Sequence, residues 1–483
     1  MRPISRRDVL KVAAASSAFP LFTIAGTKAS GQVIGANEVV RIGVAGVNGR
    51  GGSHIDEFTK KDSKAQVTYL IDPDKSLYPD RTDSVKKRAG NTPKCVADIR
   101  EALDDKELDA ISVATPNHWH SLISIWACQA GKDVYVEKPL SHNLFEGRQL
   151  VEAMRKYKRI VQHGTQNRSS VSKAKEIAAA QSGKYGKLLV SKGFCCKPRW
   201  SIGQKPIETP PATLDFNLWL GPAPEQGYHK NLVHYNWHWF WDFGNGDIGN
   251  QGVHEMDIAR WAIKDATLPT KVWSLGGRLG YTDQGQTPCM QMSVMEFGDT
   301  KLVFEVRGLV GKHKDWPNKV GNEFHTTEGM ITDGKFFPKS GDAPIALKDD
   351  PNLEVKVAPG GAFGSFINAV RSRKIEDCNC DAEVGHYSAA LCHLSNISYR
   401  LSSKEASAAE PYEEIGEHKE IYKTYEAIQE NLKAAEVDLA NVRFRHGRVI
   451  NVDVEAEAIK DDAEANALLT RVYREPFIVP DEV

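Results

Sequence analysis

The sequence predicts an α/β protein that opens on a doubly wound parallel sheet and continues into a second, strand-rich domain. Three observations carry this. Val40, Ile42, Val44 and Ala45 make a short apolar run of the kind that forms a fully covered parallel strand. Gly46, Gly49, Gly51 and Gly52 crowd the end of that run, where a tight turn leads into a helix. From residue 41 to about residue 166, apolar runs then alternate with helical stretches, the signature of a parallel sheet covered on both faces.

At 483 residues the chain is long enough for two or more domains with large cores. Its 62 lysines and arginines almost cancel 63 aspartates and glutamates, which removes any global electrostatic case for nucleic acid or an anionic membrane. A small molecule is the expected partner. Residues 1–35 read as a targeting segment: Arg6 and Arg7 precede an apolar run, 12–26, too short and too rich in alanine and serine to span a bilayer. This is the pattern of a bacterial twin-arginine export signal, so the protein is expected outside the cytoplasm. That route carries folded proteins, and any cofactor must travel inside. The eight cysteines form no C-x-x-C pair; free or buried thiols are expected, a disulfide after export being the alternative.

Matched to G-x-G-x-x-G, the glycine turn has the register Gly46, Asn48, Gly51, with asparagine at the second position. Glycines there let the backbone approach a pyrophosphate, and the following helix N-terminus favours the anion. Gly46, Asn48, Gly49, Arg50 and Gly51 are the candidate phosphate-binding group. Residues 67–71 read as a second strand ending in Asp72, a carboxylate placed to accept hydrogen bonds from ribose hydroxyls and to repel a 2′-phosphate, favouring NAD over NADP. Residues 109–115 form a third strong strand whose carboxyl end runs into Thr115, Pro116, Asn117 and His120, before a helix over 121–130. Residues 132–139 deliver Glu137, Lys138 and Pro139 to the same rim, where ligands of open α/β sheets collect. Lys138 at that edge could orient a substrate hydroxyl and lower its effective pKa.

These residues resemble the Gfo/Idh/MocA oxidoreductases. The similarity rests on the glycine turn, on Thr115, Pro116, Asn117, His118, Trp119 and His120, on the stretch from Ala130 through Glu137, Lys138 and Pro139, and on the segment ending in His254 and Asp257. It covers roughly residues 38 to 400. The resemblance implies a Rossmann domain over 36–166 and a substrate domain over 167–402 built on an open, mostly antiparallel sheet, with the substrate cleft between them. It also implies that Lys138 takes part in catalysis and that the Thr115 to Asn117 segment lies beside the nicotinamide.

Residues 159–165 look like the last strand of the first domain, and Arg168 beyond it reads either as a cofactor or substrate ligand or as a domain-interface salt bridge. A helix over 174–181 and a strand over 188–194 follow; the proline-rich piece 197–224 reads as an irregular excursion or subunit-contact arm. Aromatic and polar residues then crowd together from 234 to 242. Among them Trp237, His238 and Trp241 suit the C–H faces and hydroxyls of a sugar or cyclitol. Helical spacing through 253–263 puts Asn250, His254 and Asp257 on one face. The resembling family has D-x-x-x-H here, and this chain has Asn250 for the aspartate. Asparagine cannot exchange protons, so His254 or Lys138 must be the base, or Asp247 or Asp257 substitutes. A zinc site from His234, His238, His254 and Asp257 is the weaker reading, and no metal is expected.

Strand-like runs at 271–274, 290–297 and 301–307 fit the large sheet, and His325 is a further cleft candidate. Helices are expected over 363–372 and 383–401, and the resemblance implies that His386 and His393 are structural. Residues 403–483 read as a helical extension in which Ile421, Tyr425, Ile428 and Leu432 form an apolar stripe that must be covered by the body or by another subunit. The function expected is NAD(P)-dependent oxidation of a secondary hydroxyl of a sugar, sugar derivative or cyclitol, in a homo-oligomer. The alternatives are a glycosidase or lyase that uses the cofactor transiently, and a non-catalytic carbohydrate-binding protein.

Overall fold

A computed structural model describes residues 39–402, 404–410 and 412–483; the segment 1–35 expected to direct export lies outside them. Strands β1 (Val40–Ala45), β2 (Ala65–Ile71), β3 (Lys94–Val96), β4 (Ala110–Val113), β5 (Asp133–Val136) and β6 (Val161–His163) form one parallel sheet in the order β3-β2-β1-β4-β5-β6. Order reverses between β1 and β4, which opens a crevice at their carboxyl ends. Nearly every residue of β1, β4 and β5 is buried, as their unbroken apolar runs require. One face packs Ile111, Val113, Val134 and Val136 against Leu122, Ile125, Leu150 and Met154 of the helices Asn117–Gln129 and Leu144–Lys156. The other face packs Val40, Ile42, Val44 and Tyr135 against Phe58 and against Phe366, Ile367 and Val370. Those last three sit on the helix Gly361–Ser372, so the second domain returns to finish the first.

The second sheet is built from β7 (Leu188–Cys196), β8 (Lys271–Gly277), β9 (Met290–Phe297), β10 (Thr300–Arg307), β11 (Lys319–Thr326), β12 (Gly329–Thr332), β13 (Lys335–Pro338), β14 (Ile345–Ala346), β15 (Lys404–Ser407) and β16 (Arg443–His446). Their order is β14-β13-β12-β11-β7-β10-β9-β8-β16-β15; β17 (Ile450–Asp453) also pairs with β8, and β18 (Ala458–Ile459) with β17. Among the described residues of this sheet, only the β7–β10 pair is parallel. Leu302, Phe304 and Val306 point to one face, where Val253, Met256 and Ala259 of the helix Gly252–Ala262 and Leu391 and Leu394 of the helix Ala382–Arg400 cover them. Trp273, Met292, Val294 and Val303 point to the other.

That second face answers the question of the apolar stripe. Ile421, Tyr425, Ile428 and Leu432 of the helix Lys419–Ala434 lie on it, within the same chain. Each such burial is worth roughly 1.5–3 kcal/mol relative to exposure. The expectation of a purely helical extension is corrected: residues 403–483 carry β15 to β18 as well. Strands of two to four residues leave too little pattern to be read from sequence. The tail also reaches the first domain, where Phe477 meets the Trp119 ring edge-on at 5.3 Å. Among the described residues no helix is long and apolar enough to cross a membrane, and the eight cysteines are free thiols.

Candidate functional site

The glycine turn follows β1. Gly46 takes φ 77°, and a Cβ there would stand 2.7 Å from the backbone of Ala114 and Thr115; a Cβ on Gly51 would stand 1.8 Å from the Gly46 carbonyl oxygen. Both positions therefore demand glycine, one for conformation and both for space. Asn48, in contrast, closes the turn by accepting a hydrogen bond at its carbonyl from Gly51 N–H at 2.8 Å, a task that needs no particular side chain. The helix Arg50–Phe58 starts here, and Asn48, Gly49 and Arg50 at its start line the crevice.

Asp72 ends β2 beside this turn. Its Oδ2 accepts from Val47 N–H and its Oδ1 from Asp74 N–H, both at 2.9 Å, so the carboxylate is fixed while each oxygen keeps capacity for another donor. Burial raises its pKa, against the pull of those two amides. On the far wall, Thr115, Pro116, Asn117 and His120 line the same cleft, which has a volume of about 360 Å³. Thr115 Oγ1 and Asn117 Nδ2 are buried without a protein partner. His120 lies between the carbonyl oxygens of Pro139 at 2.7 Å and Thr115 at 2.8 Å, joining two strand ends. The helix expected from residue 121 begins at Asn117, because Pro116 supplies an extended N-cap and the polar residues after it form the first turn.

Glu137 is the electrostatic anchor of the rim. It accepts from Arg50 Nε at 2.7 Å, faces His54 Nε2 at 3.1 Å, and accepts from the Lys138 amide at 3.2 Å. Burial opposes its charge, but His54, Arg50 and Lys138 outweigh it and hold the carboxyl well below the usual carboxylate range. His54, fully buried against Ser112 Oγ at 2.7 Å, went unseen in the sequence, where it is one polar residue on a short helix.

Lys138 crosses from this rim to the second domain. Its Nζ donates to the Asn250 carbonyl at 2.7 Å and stands 3.3 Å from Asn250 Oδ1. The carbonyl is free to accept because the helix expected across 250–257 is interrupted: one short helix ends at Asn250, another starts at Gly252, and His254 N–H bonds Gln251 instead. Burial lowers the Lys138 pKa below its ordinary 10.5, with Glu137 opposing. His254 is half-buried and makes no hydrogen bond among the described residues. Burial and then the Lys138 charge push it down to about 3, so its ring is neutral.

The two aspartates considered as substitute bases do not reach the cleft. Asp257 is fully buried; both its oxygens are held by Arg168 at 2.9–3.0 Å, and Ser388 Oγ donates at 2.6 Å. Arg168 is thus the interface salt bridge of the two readings, and not a wall of the cleft. Asp247 is equally enclosed, accepting from Arg199 at 2.8 Å and from the Cys195 thiol at 3.3 Å. Lys138 and Asn250 line the cleft, whereas His254, one turn beyond Asn250, is not among its lining residues.

Of the aromatic segment, Trp237 and His238 line the cleft, stacked with ring centroids 3.6 Å apart. Trp241 does not; it lies on a second cavity, with the Arg400 guanidinium over its ring. His234 faces Asp74 at 3.1 Å, so the four residues weighed for zinc do not converge, and no metal-ligand cluster occurs among the described residues. His325 sits on β11 beside Glu323 at 3.3 Å, away from the cleft. The proline-rich piece contributes more than an arm: its short helix Phe216–Leu220 puts Leu218 and Trp219 on the cleft wall. Asp215 caps that helix by accepting from Leu218 N–H at 3.0 Å and Gly221 ends it at φ 50°, signals that the sequence did offer.

Two family models match, one described as an oxidoreductase family NAD-binding Rossmann fold over residues 40–165, the other as an oxidoreductase family C-terminal alpha/beta domain over residues 174–278. The chain belongs to the Gfo/Idh/MocA oxidoreductase family. Similar curated proteins include a levoglucosan dehydrogenase of Pseudarthrobacter phenanthrenivorans, 26% identical over 49% of this chain and 57% of that protein. An inositol 2-dehydrogenase of Leifsonia xyli subsp. xyli is 28% identical over 38% of this chain and 54% of its own length. The match thus spans just over half the length of these relatives. The WlbA dehydrogenase of Bordetella pertussis, solved with NADH and UDP-GlcNAcA, shares the fold with a TM-score of 0.53 at 16% identity, over 73% of this chain and 94% of that one.

The Gfo/Idh/MocA cleft of this chain fits a nicotinamide dinucleotide. Gly46 and Gly51 leave a cradle that a Cβ would fill, Asp72 retains acceptor capacity, and Thr115 Oγ1 and Asn117 Nδ2 are orphaned polar atoms in need of partners.

Proposed function

We propose that this chain oxidises a secondary hydroxyl of a sugar, sugar derivative or cyclitol by hydride transfer to a dinucleotide, with NAD preferred. The observation that carries the reading is on the wall of the dinucleotide cleft, where Lys138 Nζ donates to the Asn250 carbonyl and both residues line the cavity; His254, one turn further on, is neutral and makes no hydrogen bond among the described residues. The names of the levoglucosan and inositol dehydrogenases support the substrate class.

The bound dinucleotide supplies the hydride acceptor. Lys138 donates to the substrate hydroxyl oxygen and favours the negative charge that develops there, while His254 takes the hydroxyl proton at a ring nitrogen. Asn250 Oδ1 orients the same hydroxyl or its neighbour. The Trp237 face, backed by His238, meets the ring C–H groups. Asp72 accepts from the ribose hydroxyls and disfavours a 2′-phosphate.

The test is a panel of monosaccharides, anhydrosugars, glycosides and cyclitols incubated with NAD or NADP and scored for both reduced nicotinamide and cleavage products. Reduced nicotinamide is expected with at least one of them, together with a ketone product. Cleavage without net redox change would instead support the transient-oxidation alternative. The twin arginine further supports export with the dinucleotide already bound; replacing Arg6 and Arg7 by lysine is expected to retain the protein in the cytoplasm on cell fractionation.

A further inference from the structure

Behind the wall formed by residues 237–250 lies a second cavity of about 320 Å³, sharing no lining residue with the dinucleotide cleft. Its far side is residues 467–472 of the extension, well beyond residue 278 where the second family model ends. Two guanidiniums reach it. Arg471, largely buried, donates to the Asp242 carbonyl at 2.8 Å and faces His142 Nδ1 at 3.3 Å, with the Asp242 carboxylate 3.8 Å away. Arg400 lies over the Trp241 ring at 5.2 Å and has no hydrogen bond or ion pair from its side chain among the described residues. Asp242 is the one carboxylate on the lining itself. Glu146 behind it, bonded by the His142 amide and Asn143, also faces Arg471, but burial pushes its pKa up to about 7. With His142 and His393 held neutral by burial, the two guanidiniums leave the lining positive.

An acceptor completes the set. Asn245, 4% exposed, donates from Nδ2 to the His142 carbonyl at 3.0 Å, but its Oδ1 is buried without a partner. A buried amide oxygen left unpaired costs about 1–3 kcal/mol, and a ligand hydroxyl would relieve it. The volume stands at the lower end of the range for small-molecule sites, which is room for one sugar ring. Trp241 offers an aromatic edge beside the guanidiniums.

We propose that this second cavity binds a monosaccharide carrying one anionic group, its carboxylate or phosphate between Arg400 and Arg471 and a hydroxyl on Asn245 Oδ1. Guanidinium forks match both anions, and the shared chemistry is an anionic polyol. This site is independent of the reaction proposed for the dinucleotide cleft.

Calorimetric titration of the full chain with glucuronate, glucose 6-phosphate, glucose and inorganic phosphate tests it. Saturable binding of at least one sugar anion is expected, weakened tenfold or more by Arg400→Gln and unchanged by Lys138→Met. Arg400 is exposed, so its replacement should leave the melting temperature unaltered, and Arg471→Lys provides a second variant that keeps the charge but loses the fork. A crystal soaked with the tighter sugar anion should show it against Trp241. The proposal is overturned by any of four results: no saturable binding at millimolar concentration, equal binding of glucose, equal binding of inorganic phosphate alone, or binding lost in Lys138→Met and kept in Arg400→Gln.

Discussion

In the proposed reaction Lys138 and His254 divide one task, and the directions of their pKa shifts set the pH dependence to be expected. Lys138 is useful as an ammonium, and burial has lowered its pKa below 10.5, so kcat/KM is expected to fall as pH rises through that lowered value. His254 is useful when neutral; its pKa near 3 keeps it so throughout the ordinary range and leaves no acid limb of its own above about pH 4. A pH profile of the parent against Lys138→Arg checks this, since a guanidinium should remove the alkaline limb. Lys138→Ala is expected to lower kcat by about 10²–10⁴-fold while dinucleotide affinity is kept, as measured by steady-state kinetics and dinucleotide titration. At Asp72 the expected effect is on the cofactor: Asp72→Ser should weaken NAD and narrow or reverse its advantage over NADP.

At the level of elements, the glycine turn and the Arg168–Asp257 pair do different work. Gly46→Ala places a Cβ 2.7 Å from backbone in a conformation at φ 77°, so dinucleotide titration should show binding lost even if circular dichroism shows the fold kept. Arg168→Met leaves the buried Asp257 carboxylate without its main partner. A loss of about 3–5 kcal/mol is expected in denaturant unfolding, because a buried charge stripped of its counter-ion is poorly tolerated. The legibility of these elements follows from the range over which they are determined. The runs of β1, β2, β4 and β5, and the residues Asp72, Glu137 and Lys138 at their ends, are local patterns, and the sequence displays them. Asp257 could be placed on a face with His254 but not assigned to Arg168, which lies 89 positions away. Trp241 shows the same limit: four residues beyond Trp237, it looks equivalent in sequence, yet the turn between them sends it to another cavity.

Across the whole molecule, the extension is what the local patterns least foretold. Its helix covers one face of the large sheet, its short strands extend that sheet, and its tail packs on Trp119 of the first domain. Glu457 fastens it. The carboxylate pairs with Arg148 of the helix Leu144–Lys156 and faces His386 Nε2 at 2.9 Å on the helix Ala382–Arg400. Burial opposes the charge, but His386 and Arg148 prevail and hold the pKa at about 2. A depressed carboxylate pKa contributes stability that is complete above its unfolded value, 4.5, and is lost as pH falls towards 2. Glu457→Gln should therefore lower the melting temperature at neutral pH and flatten its fall between those two pH values, as thermal scans would show.

On the proposed function, hydride leaves a carbinol carbon for the dinucleotide and the hydroxyl proton passes to His254. A substrate found by the panel and deuterated at the carbinol carbon tests it most directly. Mass spectrometry is predicted to find the label on the nicotinamide ring in the parent, with the transfer rate strongly reduced in His254→Ala and Lys138→Ala. Label released to water, or retained on carbon while product forms, would rule out hydride transfer to the dinucleotide.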